Sequence, residues 1–290
     1  MMTRYGTIHQ VWAFPALLSL WVGLLTSSCS LAVDASRVQC RNDADCAAGG
    51  PAAAGSVCMD ELCQPDPKWA CLQQPPPKAT SPGLASVKVL ALADVVTQQK
   101  VSGATLKVCR KLDVDCSSPV TTATSDDTGA ATLSVDGSSA GYLEVGAPGY
   151  LSTLFFFNPP IAGDRVVPSI PLSTSAAHKA VLQSLGLAPS DNRGTIILAT
   201  FDCTGKPIAD VVYRIANQDP GAKTFYYVDG LPSIAALATT SSGYGGIANV
   251  PSGAVTLEST AQKGALKLPS ISLVVRGGNL AFSTVVPFGT

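Results

Sequence analysis

Apolar positions along this chain change their rhythm several times, and each change marks a predicted segment. Residues 11–25, VWAFPALLSLWVGLL, are a continuous apolar run interrupted only by Ser19 and the breakers Pro15 and Gly23. Fifteen residues fall short of the roughly 20 that cross a hydrocarbon core. They suit the apolar heart of a secretory signal. Residues 33–74 then carry little apolar material between closely placed cysteines, and QPPPKATSPG (74–83) reads as an extended, semi-rigid linker. From Leu84 to Leu172 short β-rich runs (SVKVLAL, ATLKVCR, ATLSV, GYLEV and RVVPSIPL) are punctuated by Gly, Pro, Asp and Ser.

The period changes again in STSAAHKAVLQSLGL. Ala176, Ala177, Ala180, Val181 and Leu185 make one face of a short helix, with Thr174 or Ser175 to cap its start and Gly186 its end. After Asp191 strands return in GTIILATFD, VVYRIA, TFYYV, GAVTLEST, SISLVVR and LAFSTVV. TTATSDDTGAATLSV (121–135) and LATTSSGYGGIANVPSGAVTL (237–257) echo each other as Thr/Ser-rich strand, Gly turn and apolar strand. The predicted class is mainly β: two Ig-like or transthyretin-like β-sandwiches, 84–173 and 191–290, joined by a linking helix at 174–190. A small disulfide-rich module, 29–73, precedes the 74–83 linker.

Composition narrows the function classes. Charged residues are 13% of the 290 and the net charge is −1, so no basic face for nucleic acid is implied. Of only two histidines, His9 leaves with the leader, which excludes a centre built on two imidazoles. Neither a phosphate-binding G-x-x-x-x-G-K-[ST] nor H-E-x-x-H is present, and no cofactor is implied.

Leu25-Thr26-Ser27-Ser28-Cys29 resembles a bacterial lipobox, with Thr26 as its departure from the usual Leu. On that resemblance residues 1–28 are a lipoprotein-type signal peptide, and Cys29 is acylated and holds the protein to membrane lipid. Ser30 after the cysteine implies the outer membrane or cell surface. The alternative is ordinary cleavage after Ser30-Leu31-Ala32 and a free secreted protein. Either leaves eight of the nine cysteines, in a compartment that permits disulfides.

GKPIADVVYRI followed by ATTSSGYGGIANVPSGAVTL resembles the carboxypeptidase-regulatory-like, or transthyretin-like, β-sandwich. Residues 205–213 and 239–257 carry the likeness, and 101–150 match more loosely. The chain as a whole is similar to myxobacterial-type surface lipoproteins that join a cysteine-rich module to such domains. That resemblance implies a scaffold or accessory, not a catalyst.

Eight cysteines allow 105 pairings, and sequence alone leaves the choice open. Small EGF-like or Dickkopf-like modules imply the interleaved pairs Cys40–Cys58 and Cys46–Cys63. Cys109–Cys116 would close a short loop, leaving Cys71 and Cys203 to tie the module to the second sandwich. Zinc would want closer cysteine pairs or nearby histidine, so no metal site is expected. Asn42-Asp43-Ala44-Asp45 lacks the spacing of a calcium loop and reads as a solvated acidic turn.

Three tempting sites remain. Gly137-Ser138-Ser139-Ala140-Gly141 fits G-x-S-x-G, but strands flank it on both sides, so it reads as a hairpin loop. His178, the only base available to Ser139, belongs to the linking helix. An isopeptide crosslink from Lys88 with Glu144 lacks its Asn or Asp on VVPSIPLS. Phe155-Phe156-Phe157 and Phe225-Tyr226-Tyr227 are concentrated aromatics, from which Phe155, Phe157, Tyr226 and Tyr227 are candidates for a ligand surface. The expected function is a non-enzymatic, lipid-anchored structural or protein-interaction module of the cell envelope. Its partners would be another envelope protein or an extracellular polysaccharide. A carbohydrate-binding or substrate-capturing accessory is the alternative.

Overall fold

The computed structural model describes residues 39–48, 56–72, 74–75, 78, 83–111, 113–137, 139–261 and 266–288. The apolar leader, the lipobox and Cys29 lie outside the described residues.

The N-terminal module is built on polar caps and sulfur. Helix α1, Asp43–Ala47, starts at Asn42, whose side chain accepts the Ala44 amide at 2.9 Å. The Asp45 carboxylate accepts the Arg41 and Asn42 amides, closing a capping box. Asp43 accepts the Cys58 amide at 2.9 Å and so ties the helix to the following hairpin. The acidic turn expected here is therefore a capped helix, its carboxylates occupied by backbone amides. The hairpin pairs β1, Ser56–Met59, with β2, Leu62–Pro65, through a two-residue turn at Asp60 and Glu61. Both turn residues have positive φ, as a twist-matched hairpin turn requires. Cys40 and Cys46 are buried. Their disulfides to Cys58 and Cys63 supply the core that so short a segment cannot build from side chains.

The first sandwich runs through β3 (Leu84–Val89), β4 (Leu92–Asp94), β5 (Thr105–Arg110), β6 (Thr121–Thr124), β7 (Ala131–Asp136), β8 (Gly141–Gly146), β9 (Thr153–Phe156), β10 (Arg165–Val167) and β11 (Ile170–Leu172). One layer is β10–β3–β7, extended by the β11–β4 pair; the other is β9–β8–β5–β6. Burial alternates along β7 as strictly as its sequence does, placing Ala131, Leu133 and Val135 inward. Val87, Leu106, Leu143, Ile170 and Leu172 fill the space between layers. The run RVVPSIPL, one strand on the sequence reading, divides at Pro168-Ser169 into β10 and β11. Lys88 faces outward, and its partner across the ladder is Val166, so neither the geometry nor the chemistry of an isopeptide is present.

Helix α2, Ser175–Ser184, is capped by Thr174, whose hydroxyl accepts the Ala177 amide. The second sandwich follows: β12 (Arg193–Thr200), β13 (Val212–Ile215), β14 (Lys223–Val228), β15 (Leu231–Ser233), β16 (Tyr244–Pro251), β17 (Gly253–Ala261), β18 (Leu266–Val275) and β19 (Leu280–Val285). Its layers are β13–β17–β18 and β15–β14–β16–β12–β19.

The two sandwiches are joined by more than the helix. β9 pairs in parallel with β19, Thr153 to Leu280 and Phe155 to Phe282, which merges two layers into one sheet of nine strands. Successive residues then serve opposite cores. On β8 and β9, Leu143, Val145 and Phe155 belong to the first core, while Tyr142, Leu154 and Phe156 join the second.

Three local expectations are corrected. Gly243 to Gly246 do not form a hairpin turn: Gly245 and Gly246 lie in β16, between β14 and β12. A β-carbon on Gly246 would stand 2.2 Å from the Ile196 carbonyl oxygen, and one on Gly245 2.7 Å from the Tyr226 ring. These glycines are therefore matched to crowded strands, not to a bend. Residues 237–240 form no strand; Thr239 instead accepts and donates backbone bonds with Asp210 and Val211. Loop 137–140 connects β7 in one layer to β8 in the other, so it is a crossover between sheets and not a hairpin.

One turn recurs. Asp126-Asp127-Thr128-Gly129 and Asp202-Cys203-Thr204-Gly205 each fold around an aspartate that accepts the Thr amide, the Thr hydroxyl and a later amide. Gly129 and Gly205 take φ of 75° and 79°. The Thr128 hydroxyl, then the Ala130 and Thr128 amides, hold Asp126 below the usual carboxylate range. At Asp202 burial pushes upward, but the Thr204 hydroxyl and the Lys206 and Thr204 amides outweigh it.

Two outcomes follow. Gly246→Ala lowers unfolding free energy by about 2–4 kcal/mol in urea melts, whereas Gly163→Ala, with open space around it, changes it little. The depressed aspartates stabilise the fold fully above about pH 4. That contribution is lost as pH falls through their lower folded values, so Tm drops as the pH goes below about 4. Asp126→Ala shows a lower Tm at neutral pH and a shallower acid slope.

Candidate functional site

The functional candidates lie along the seam between the sandwiches. On one face, Arg276 follows the end of β18 and reaches the first sandwich. Its guanidinium donates to Glu144, to the Tyr142 hydroxyl at 2.6 Å and to the Val114 carbonyl at 2.6 Å. It also stands 5.6 Å from the centre of the Tyr142 ring. Tyr142 in turn donates to the Asp113 carbonyl at 2.5 Å, and Lys107 lies 3.5 Å from Glu144. Asp113 and Val114 sit in the loop that Cys109–Cys116 closes, so this disulfide fixes the carbonyls that Tyr142 and Arg276 read. Further along, Asn158 donates to the Thr284 carbonyl at 2.7 Å, and Thr284 donates back to the Asn158 carbonyl.

A covalent tie joins the N-terminal module to the second sandwich. Cys71 is bonded to Cys203 on the loop after β12, and the Cys203 amide donates to the Lys68 carbonyl at 2.9 Å. The 3-10 turn Pro67–Trp69, capped by Asp66, seats the buried Trp69 among the second sandwich's core residues. The linker region is thus anchored at its start by an aromatic and a disulfide. All eight candidate cysteines are bonded: Cys40–Cys58, Cys46–Cys63, Cys71–Cys203 and Cys109–Cys116. Two groups bring three potential ligand atoms together, Cys40 with Cys46 and Cys63, and Cys109 with Cys116 and Glu144. Their sulfurs are all in disulfides, and a metal needs the thiolate.

The opposite face of the shared sheet carries a cleft of about 490 Å³. β12 and β19 form its floor through Thr195, Ile197, Leu280 and Phe282. Helix α2 supplies His178 and Val181, and the first sandwich supplies Val95 and Pro171. The remaining wall is Ser173, the segments 227–230 and 240–242, and Tyr244. The His178 Nε2 stands 3.0 Å from the Thr195 hydroxyl. Burial pushes His178 below its ordinary value, so the ring is neutral at pH 7. Tyr227 meets Tyr244 edge to face, with ring centres 6.5 Å apart.

Several sequence candidates are relocated by this geometry. Ser139 lies on the β7–β8 crossover, where its backbone bonds Asp136 and Ile161, while His178 is engaged with Thr195 in the cleft. The structure does not bring this serine and histidine together. Phe157 and Tyr226 are buried, not surface residues. Phe157 packs in the first core, and Tyr226 accepts the Tyr213 amide at 3.0 Å inside the second. Phe155 is half-buried against the first core. Only Tyr227 of the four candidate surface aromatics lines the cleft. Tyr244 also lines it, 43% exposed, and sequence reasoning missed it because it stood among glycines read as a turn.

No family model matches the chain, and no curated protein matches it. Among solved structures it is similar to the shaft pilin SpaA of Lactobacillus rhamnosus GG, 12% identical over 72% of this chain and 99% of that one, with a TM-score of 0.25. It is similar to GBS52, the minor pilin of Streptococcus agalactiae, at 13% identity over 70% and 94%, with a TM-score of 0.23. The Bacillus anthracis TIE protein is 13% identical over 70% of this chain, with a TM-score of 0.24. The chain spans about a third of that protein's length.

The staples yield a direct test. Cys71→Ser with Cys203→Ser opens the longest of the four covalent loops and lowers stability by about 2–5 kcal/mol. Denaturant melts read the loss, and the near-UV signal of Trp69 weakens in the same variant.

Proposed function

We propose that this chain is an exported cell-envelope protein, held to the outer membrane or cell surface by an acylated Cys29, whose work is structural. It presents or braces an interaction at the surface and carries out no catalysis of its own. The observation that carries this reading is the shared nine-stranded sheet, clasped across the two sandwiches by Arg276 and Glu144. Such construction suppresses hinge motion between domains, which suits a brace. Enzymes that close over substrates need the opposite. Four disulfides fit an oxidising compartment. The likeness of residues 205–213 and 239–257 to carboxypeptidase-regulatory-like domains supports an accessory role. The carbohydrate-capturing alternative is weakened because two of its four aromatics are buried.

Expression of the full sequence in a Gram-negative host with an alkyne-tagged fatty acid tests the anchor. The wild type is labelled and sediments with outer membranes; Cys29→Ala is unlabelled and lost from that fraction. An unlabelled wild type beginning at Val33 and recovered from the medium would replace the anchored reading with the secreted one.

A further inference from the structure

The shared sheet is covered unevenly. On the face away from β13–β17–β18, one end lies under the first sandwich's β10–β3–β7 layer. The far end lies under α2, where Leu182 and Leu185 pack on Phe225 and Ala248. Between them β12 and β19 run through the middle of the sheet with Ile197 and Phe282 only half-buried. Side chains in the centre of a nine-stranded sheet are ordinarily sealed by a second layer. Here the seal is missing over a walled space, not over open surface. Its volume, about 490 Å³, lies inside the roughly 300–1,000 Å³ of small-molecule sites.

The lining specifies chemistry. The floor and walls are aliphatic and aromatic, and no lysine or arginine contributes; Asp229 is the one acidic residue of the lining. A carboxylate or phosphate would find no counter-charge there and would lose its water for nothing. A sugar would leave most of its hydroxyls unpaired against the apolar floor. Apart from the His178 imidazole and the exposed Asp229, the polar side chains that line the space carry hydroxyls. The Thr195 hydroxyl is already engaged by His178, whereas Ser241 is exposed at the rim. We propose that this cleft binds one neutral, predominantly apolar small molecule. Its body rests on Ile197 and Phe282, and a single hydroxyl or carbonyl group turns toward the 240–242 rim. The proposal does not depend on how the chain is anchored.

The test is a fluorescence titration of the full disulfide-bonded protein with the neutral probe N-phenyl-1-naphthylamine. Saturable binding of one probe per chain is expected, with the anionic relative 1-anilinonaphthalene-8-sulfonate at least tenfold weaker. Val181→Trp fills the cleft from the helix and Ser241→Trp from the exposed rim; each weakens binding at least tenfold. Leu237→Ser alters a side chain 83% exposed and outside the lining, and it leaves affinity unchanged. Near-UV circular dichroism establishes that each variant is folded, and the rim variant decides the matter if the helix variant is not. Unchanged affinity in folded Ser241→Trp would overturn the proposal. So would several probes per chain, equal binding of the anionic relative, or binding lost in Leu237→Ser.

Discussion

The pairing of β9 with β19 is the constraint from which the rest of the molecule follows. Two separate sandwiches would each leave an edge strand there, with a row of unpaired amides and carbonyls open to any other strand. Joining the two edges in parallel pairs both rows at once and removes one open edge from each sandwich. It also sets the geometry of the halves. Once one layer of each sandwich belongs to the same sheet, their second layers settle on opposite faces, and neither half can rotate without breaking a ladder of backbone bonds.

Period-two alternation then does double duty. In an isolated sandwich the outward residues of β8 and β9 would face water and be polar. Here Tyr142, Leu154 and Phe156 face a second core, which is why LFFF (154–157) is apolar at every other position and at the ones between. The same logic makes Glu144 and Arg276 an internal pair: Glu144 shares the face of Tyr142, and β18 passes over that face. Each stands about one-sixth exposed, so removing either partner would strand a poorly solvated charge. The interaction therefore enforces the mutual placement of the halves more than it adds stability.

Much of this architecture was legible in the sequence, and the parts that were not share a cause. Alternation announced β5, β7 and β8, the change of period announced α2, and flanking strands argued against a nucleophile elbow at Ser139. The strand β16 was obscured because glycine signals a turn when read locally. At Gly245 and Gly246 its purpose is to let the Tyr226 ring and the Ile196 carbonyl approach, which only the neighbouring strands reveal. The shared sheet had no local signal at all, since edge pairing between distant strands leaves no periodicity. The ligand-surface candidates suffered likewise. A run of three aromatics looks like a patch, but in a sheet with a core on both faces every ring of Phe155-Phe156-Phe157 finds cover.

The cleft is a consequence of the same fusion. Two second layers placed on opposite faces and offset along one sheet cannot cover it completely, so each leaves bare the part that the other fills from behind. On the α2 side the bare strip is β12 and β19, the latter being the strand that pairs with β9 at the seam. The helix seals only its far margin, and the chain between β14 and β16 seals another. What remains is apolar because those strands were selected to lie inside a sheet. It is walled because both sandwiches and the helix border it. A scaffold built this way acquires a small-molecule site as a geometric remainder. His178, the one histidine among the described residues, stands at its edge, held neutral by burial against Thr195.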